Sequence, residues 1–359
     1  MNSESEKEII RIGLDAMGGD HSPEAALKGA NHFISNHNDL AFNIFGDESK
    51  ISPILNELPD LKKLSTIIHT EDVIASDDKP STAIRKGKNS SMALAIKSAK
   101  SKQSDCVVSA GNTGALMAMS KIFLRTLPGI DRPAIGGIMP TSKGDSVMLD
   151  LGANLACDAN NLFEFAVMGD AFARSLLCIE SPSIGLLNIG TEEIKGNEAI
   201  KSAALMIKDA NTSLNFYGFI EGNDIGKRTV DVVVTDGFSG NIALKTAEGT
   251  ALMLSKALKD SMLSSFSGKI GALLCKNAFK QVKNNFDPRL HNGAMLLGLN
   301  GIVVKSHGGS DEIGNSNAIK VAYNLTKHKI NEQIIKEMID SGHISPEDEN
   351  MPYLNNGAK

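Results

Sequence analysis

Two histidines stand among small polar residues: His21 in Asp15-Ala16-Met17-Gly18-Gly19-Asp20-His21, and His307 in Ser306-His307-Gly308-Gly309-Ser310-Asp311. An imidazole in that setting is placed to give or take a proton rather than to fill a core. Four further runs mix glycine with Asn, Ser or Asp: 109–114 (SAGNTG), 150–154 (DLGAN), 188–193 (NIGTEE) and 235–241 (TDGFSGN). A glycine-rich approach to a helix start presents backbone N–H groups, and the helix dipole adds roughly half a positive charge there, so such a junction suits an anion. The best cradles are Asn112, Thr113 and Gly114, preceded by Gly111, and Ser239, Gly240 and Asn241, with Lys245 one turn on. Asp15, Asp150 and Asp236, with Gly18, Gly19 and Asn154, would orient donors around them; for the three aspartates loop capping is the alternative.

Covalent nucleophiles are poorly represented. Gly237-Phe238-Ser239-Gly240-Asn241 imitates G-x-S-x-G but has Asn241 where the last glycine belongs, and no Ser/His/Asp order accompanies it. Cys157 has no basic neighbour in sequence and reads as an inert thiol. Asp15, Asp20 and His21 form a D-x4-D-H run that is too small a donor set for a metal site. Neither a Walker A loop nor G-x-G-x-x-G occurs. The combination left suits a reaction in which a bound anion itself attacks.

What positions these residues is a repeated pattern: a short β-branched run, a polar glycine junction, then a helix-period segment. Apolar runs at 9–14, 106–108, 147–149, 184–187, 231–234 and 302–305 each feed one of the six junctions. A helix is expected to start at Ser22-Pro23, an N-cap and N1 pair. Alternation of strands and helices predicts an α/β domain over 8–342 with a mostly parallel sheet, and polar tails at 1–7 and 343–359. Right-handed crossovers would then bring all six junctions to one rim, where ligands of open α/β sheets bind.

Residues 250–285 break the pattern and read as two helices with a turn at 264–268. Six lysines against Asp260 give this segment +5, which leaves −10 on the rest of a chain whose net charge is −5. Met262, Leu263, Phe266, Ile270, Leu273 and Leu274 gather about the turn. A basic, apolar hairpin on an acidic protein suits an anionic membrane surface or an acidic partner; a dimer-forming arm with solvated lysines is the other reading. Arg85, Lys86 and Lys88 form a second basic stretch, for which a solvated helix face is one reading.

Composition bounds the rest. A 359-residue chain with 42% hydrophobic residues has ample core, and its negative charge argues against nucleic acid as partner. Trp is absent and Tyr numbers 3, so no base-stacking platform is expected. The four cysteines lie far apart without C-x-x-C, as thiols of a reducing compartment do. No 18-residue apolar run occurs, and MNSESEKEII has neither the basic nor the apolar region of a signal peptide, so a cytoplasmic protein is expected.

The segments GLDAMGGDHSP (13–23), KPSTAIRKGKNSSM (79–92), VSAGNTGALMA (108–118), DRPAI (131–135), LLNIGTEEIKGNE (186–198), VTDGFSGNIALKTAEG (234–249) and LLGLNGIVVKSHGGSD (296–311) together resemble the bacterial acyl-acyl-carrier-protein:phosphate acyltransferase family of phospholipid synthesis. The resemblance covers nearly the whole chain apart from the two ends. It implies a three-layer α/β/α fold related to phosphotransacetylases and to isocitrate and isopropylmalate dehydrogenases, with a protruding helical hairpin, in a homodimer without a cofactor. It also implies a reaction: long-chain acyl-ACP (acyl carrier protein) and inorganic phosphate give acyl phosphate and free ACP. The acyl phosphate would pass to a membrane-embedded glycerol-3-phosphate acyltransferase, and the hairpin would dock peripherally on the inner face of the cytoplasmic membrane.

On that reading His21 or His307 polarises the thioester carbonyl or the phosphate proton. Asn112 and Asn241 stand with them as catalytic candidates, and Arg85, Lys86 and Lys88 meet the carrier. Rival readings are a short-chain phosphotransacetylase, an NAD-dependent decarboxylating dehydrogenase, which lacks an acidic metal cluster here, and a peripheral membrane scaffold for lipid-synthesis partners.

Overall fold

Short apolar runs punctuated by glycine make the strands, and polar caps start the helices between them. The strands are β1 (Ile10–Asp15), β2 (Leu40–Gly46), β3 (Ser65–His69), β4 (Cys106–Ser109), β5 (Ala134–Thr141), β6 (Gly144–Leu149), β7 (Ser183–Leu187), β8 (Asn215–Ile220), β9 (Val232–Val234), β10 (Ala294–Leu297) and β11 (Ile302–Lys305). The helices are α1 (Glu24–Ile34), α2 (Glu48–Asn56), α3 (Pro59–Lys63), α4 (Pro80–Lys86), α5 (Ser91–Lys100), α6 (Thr113–Leu124), α7 (Ala159–Leu177), α8 (Glu198–Asp209), α9 (Gly222–Ile225), α10 (Gly237–Leu263), α11 (Phe266–Leu274), α12 (Lys276–Asn285), α13 (Glu312–Lys327) and α14 (Ile330–Asp340). These elements come from a computed structural model, which describes residues 9–35, 37, 39–210 and 212–345. Of the tails expected at 1–7 and 343–359, residues 1–7 and 346–359 lie outside the described residues. His343 and Ile344, expected in the tail, pack on the body instead: the His343 ring stacks on Phe163 with centroids 4.9 Å apart, and Ile344 lies on the main core.

All eleven strands form one sheet in the order β3-β2-β1-β4-β11-β10-β5-β6-β9-β7-β8. Period-two alternation sorts its side chains. Cys106 and Val108 of β4, with Ile302 and Val304 of β11, face the core shared with α1, α7, α13 and α14, whereas Val107 and Val303 face α5 and α6. Helix, sheet and helix thus form three layers over the first half. Over β6, β9 and β7 the second face carries only a small cluster, with Met148 and Val233 under α9 and the first turns of α10.

Strand direction corrects the expectation of a single rim. Strands β3, β2, β1, β4 and β11 are mutually parallel. Strand β10 is antiparallel to β11 and to β5, and β5 is antiparallel to β6. Strands β6, β9, β7 and β8 are parallel to one another. Three reversals leave this second set running opposite to the first. Lys305, the last residue of β11, pairs with Ala294 at the start of β10, while Leu297 at the other end of β10 pairs with Ala134, next to the Asp150 loop. The junctions after β1, β4 and β11 therefore lie at one end of the strands, and those after β6, β7 and β9 at the other.

Two local expectations also change. Ser22 does not cap α1: its hydroxyl donates to the carbonyls of Gly18 and Gly19, and Pro23 occupies the N-cap. The helical excursion is not two helices. Its first limb is the continuation of α10, which runs unbroken for 27 residues from the Gly237 junction. Its second limb breaks at Cys275 into α11 and α12. Only Gly237 and Gly240 of α10 are buried, and no residue of α11 is.

Candidate active site

The junctions after β1, β4 and β11 interlock. The Asp15 carboxylate, buried at the end of β1, accepts the Ser109 hydroxyl at 2.6 Å and the Met17 amide at 3.3 Å. Burial raises its pKa, against the pull of those hydrogen bonds. Gly18 lies against Gly111 of the next junction. Gly19, at φ +98°, lies against Ala110 and the Gly308 carbonyl, so three loops meet where no side chain fits. The Asp20 amide donates to the Gly308 carbonyl at 2.8 Å. His21 is exposed on the same lip.

The β11 junction is held from behind by Asn292. Its amide nitrogen donates to Ser306 Oγ (2.8 Å), Ser310 Oγ (3.1 Å) and the Gly314 carbonyl (2.7 Å), and its oxygen accepts the His307 amide at 2.9 Å. The His307 ring is exposed, and its Nδ1 accepts the Gly309 amide at 3.2 Å. That contact assigns the neutral ring the Nε2–H tautomer, a donor facing outward. Asp311 caps α13 through the Gly314 amide and takes Arg289 at 3.0 Å.

Helix α6 starts on this rim. Asn112 is its N-cap: Oδ1 accepts the Ala115 amide at 3.0 Å, and Nδ2 donates to the carbonyls of Ala75 (3.4 Å), Ser76 (2.9 Å) and Asp78 (2.9 Å). The side chain is committed on both ends and pins the 75–80 segment over the helix start, which makes it a positioning group. The amides of Thr113 and Gly114, in the first turn, have no intrahelical acceptor and remain for a ligand. Arg85 and Lys86 close the last turn of α4, which packs on α6, and with Lys88 they form an exposed basic lip.

The most informative group was not among the expected ones. Lys305 ends β11, half-buried, and its Nζ donates to the Ala110 carbonyl at 3.3 Å and to the Ser306 carbonyl. Burial lowers its pKa to about 8 although Asp15 and Asp20 pull upward. The sequence signal was a lysine closing an apolar run just before a polar glycine junction. Nothing in the sequence singles out Ser109, Asn292 or Asp311.

The other expected residues gather at the opposite end of the strands. Asp150 accepts the amides of Ile135, Gly152, Ala153 and Asn154 and the Asn154 side chain, all within 3.1 Å. It is the hub of its own loop. Asp236 caps α10 by accepting the Ser239 amide (2.8 Å) and hydroxyl (2.9 Å), and its carbonyl accepts the Gly240 amide (2.9 Å). Gly240 is pressed against the Asp150 carbonyl. The amides of this supposed cradle are therefore occupied. Asn241 is exposed beside Gly152, and Lys245 turns away to Glu248 at 2.6 Å. Burial, reinforced by Asp150 and Asp236, pushes the Cys157 thiol up to about 12, so it is inert.

Residues 10–333 match the family model described as fatty acid synthesis protein. The phosphate acyltransferase of Paramagnetospirillum magneticum is 51% identical over 339 residues, covering 94% of this chain and 97% of that protein. The chain belongs to the phosphate acyltransferase family. The family's phosphate acyltransferase from Rhodospirillum centenum is 52% identical over 342 residues, covering 94% of this chain and 96% of that protein. Among solved structures, a phosphotransacetylase from Streptococcus pyogenes superposes with TM-score 0.60 at 19% identity, covering 89% of this chain and 94% of that one. The EutD phosphotransacetylase from Staphylococcus aureus gives 0.57 at 15% identity, covering 89% and 94%. The phosphate acyltransferase family chain described here thus shares the phosphotransacetylase fold.

Proposed function

We propose that the rim formed by β1, β4 and β11 transfers a long-chain acyl group from acyl-ACP to inorganic phosphate, giving acyl phosphate and free ACP. The observation that carries this reading is the meeting of three glycine-lined junctions beside the open first turn of α6, with Lys305 among them. Phosphate sits on the Thr113 and Gly114 amides, approached through Gly111, where the helix dipole favours negative charge. His307 Nε2–H, or His21 from the facing lip, polarises the thioester carbonyl. Much of the phosphate is dianionic at neutral pH, and the leaving thiol has a pKa of about 8.5, so no covalent enzyme intermediate is required. What the site supplies is alignment and hydrogen-bond donors, and one lost donor typically costs about 10²–10³ in rate.

The acidic carrier would meet Arg85, Lys86 and Lys88, which lie beside the phosphate rather than across the molecule from it. The long, almost wholly exposed α10 would be covered by a second copy in a homodimer. At the tip, Leu263, Phe266, Ile270, Leu273 and Leu274 are exposed, and Met262 is half-buried against Gly271. Among the described residues no helix is long and apolar enough to cross a membrane. The tip would instead lie on an anionic surface of the cytoplasmic membrane and pass acyl phosphate to the membrane-embedded glycerol-3-phosphate acyltransferase.

The test is purified protein with long-chain acyl-ACP and phosphate, the product trapped by hydroxylamine. Phosphate-dependent hydroxamate formation supports the reading. Turnover confined to short acyl-CoA makes the chain a short-chain phosphotransacetylase, and no acyl transfer at all contradicts both.

A further inference from the structure

The reaction moves one proton. Hydrogen phosphate forms a bond from oxygen to the acyl carbon, the carbon–sulfur bond breaks with its electron pair going to sulfur, and the phosphate proton must end on the thiol. His307 is poorly placed to take it, because the nitrogen that would accept is already held by the Gly309 amide. Lys305 is better built for the task. An ammonium has three N–H bonds and a neutral amine two plus a lone pair. Two of its positions are engaged by the Ala110 and Ser306 carbonyls, which fixes Nζ between the β4 and β11 junctions. The third position alone changes between N–H and lone pair. Ala110 is two residues before the α6 N-cap, so this position lies beside the proposed phosphate cradle.

We infer that Lys305 is a catalytic residue that takes the proton from the attacking phosphate and delivers it to the departing thiolate. The inference rests on the acyl-transfer reading above. Burial brings the ammonium down to about 8, close to the roughly 8.5 of a thiol, so the transfer is near balance in both directions. The titratable groups facing it are Asp15 from the end of β1 and Asp20 from the loop beyond. Asp311, the N-cap of α13, is held by Arg289. Strand β10, Ala294–Leu297, carries no titratable side chain, and the first turn of α6 holds no acid. On β4 the titratable residue is Cys106, whose thiol burial pushes up to about 12.

The experiment compares wild type with Lys305→Arg and Lys305→Met, measuring kcat, KM for phosphate and thermal melting, on an alkyl thioester and on the thioester of an aromatic thiol. Arginine keeps the charge but does not give up its proton. Lys305→Arg is expected to leave KM for phosphate within about threefold and to lower kcat on the alkyl thioester by about 10²–10⁴. Its deficit should shrink at least about tenfold on the aromatic thioester, whose thiolate leaves unprotonated. Lys305→Met should lose kcat and phosphate affinity together. Wild-type kcat should rise with pH through an ionisation at or above 8, and this limb should vanish in Lys305→Arg. A Lys305→Arg enzyme with wild-type kcat, or with the wild-type pH limb, overturns the assignment. If neither variant folds, the wild-type profile decides: a flat profile between pH 7 and 9 on the alkyl thioester overturns it. Wild type inactive on every thioester refutes the acyl-transfer reading itself, an outcome separate from parity between wild type and variant.

Discussion

A Cβ placed on Gly18 would stand 2.5 Å from the Gly111 amide nitrogen, so the loop after β1 and the loop after β4 touch backbone to backbone. This contact aligns the buried Asp15 carboxylate, 2.8 Å from the same Cβ position, with the entrance to α6. The rim depends on it: loops held apart by one methyl group would no longer place Gly111, Lys305 and the first turn of α6 around a single ligand.

Gly18→Ala is expected to cost stability by about 1–3 kcal/mol, as overpacking of a close contact does, and to lower turnover far more than that loss explains. Thermal melting and kcat on the same preparation check this. An alanine variant with unchanged kcat would show that the two loops need not touch.

Asn112 separates into two functions. Asn112→Ala loses the cap, about 0.5–2 kcal/mol, and also releases the 75–80 segment. Asn112→Asp keeps an acceptor for the Ala115 amide but loses the three bonds to carbonyls. The aspartate variant turns a carboxylate oxygen toward those carbonyls, so it should melt below wild type and show raised KM for acyl-ACP and for phosphate. If both variants match wild type in KM, the 75–80 segment does not shape the site.

Glu164, buried in α7, accepts the Asp131 amide at 3.0 Å and Asn160 Nδ2 at 2.5 Å, and burial raises its pKa to about 7. The folded state therefore holds this proton more tightly than the unfolded state, whose carboxyl titrates near 4.5. Stability from this group is full below about 4.5 and declines as pH rises to about 7, by on the order of 3 kcal/mol. Glu164→Gln should flatten that decline in denaturant melts at pH 5 and pH 8. A variant with the same difference between the two pH values would remove Glu164 as its source.

Phe266→Asp at the exposed tip should reduce co-sedimentation with vesicles containing phosphatidylglycerol, without changing kcat on soluble acyl-ACP. Unaltered sedimentation would dismiss the tip as a lipid contact.

Much of the fold was legible because its signals are local. The runs at 106–108 and 302–305 are strands, and Asp236 and Asp311 cap the helices that follow. Strand direction leaves no such mark. Nothing in Ala294–Leu297 or Ala134–Thr141 says that these strands run against their neighbours, and those reversals send Asp150, Asn154, Asp236, Ser239, Asn241 and Lys245 to the far end of the sheet. The junction residues also look alike in sequence, and each helix start is capped in the same way, but at α10 the Gly237 amide is also taken by the Asn154 carbonyl, whereas the Asn112 cap of α6 takes Ala115 and Leu116 and leaves Thr113 and Gly114. In sequence Lys305 is no more than the last residue of a strand, because burial of its ammonium is a tertiary property.

The most direct test is a crystal structure of the protein grown with tungstate, a heavy analogue of phosphate located by anomalous scattering. The account predicts the anion at the first turn of α6, on the Thr113 and Gly114 amides and within reach of Lys305 Nζ. Tungstate bound at Ser239–Asn241, with the α6 turn empty, would contradict it.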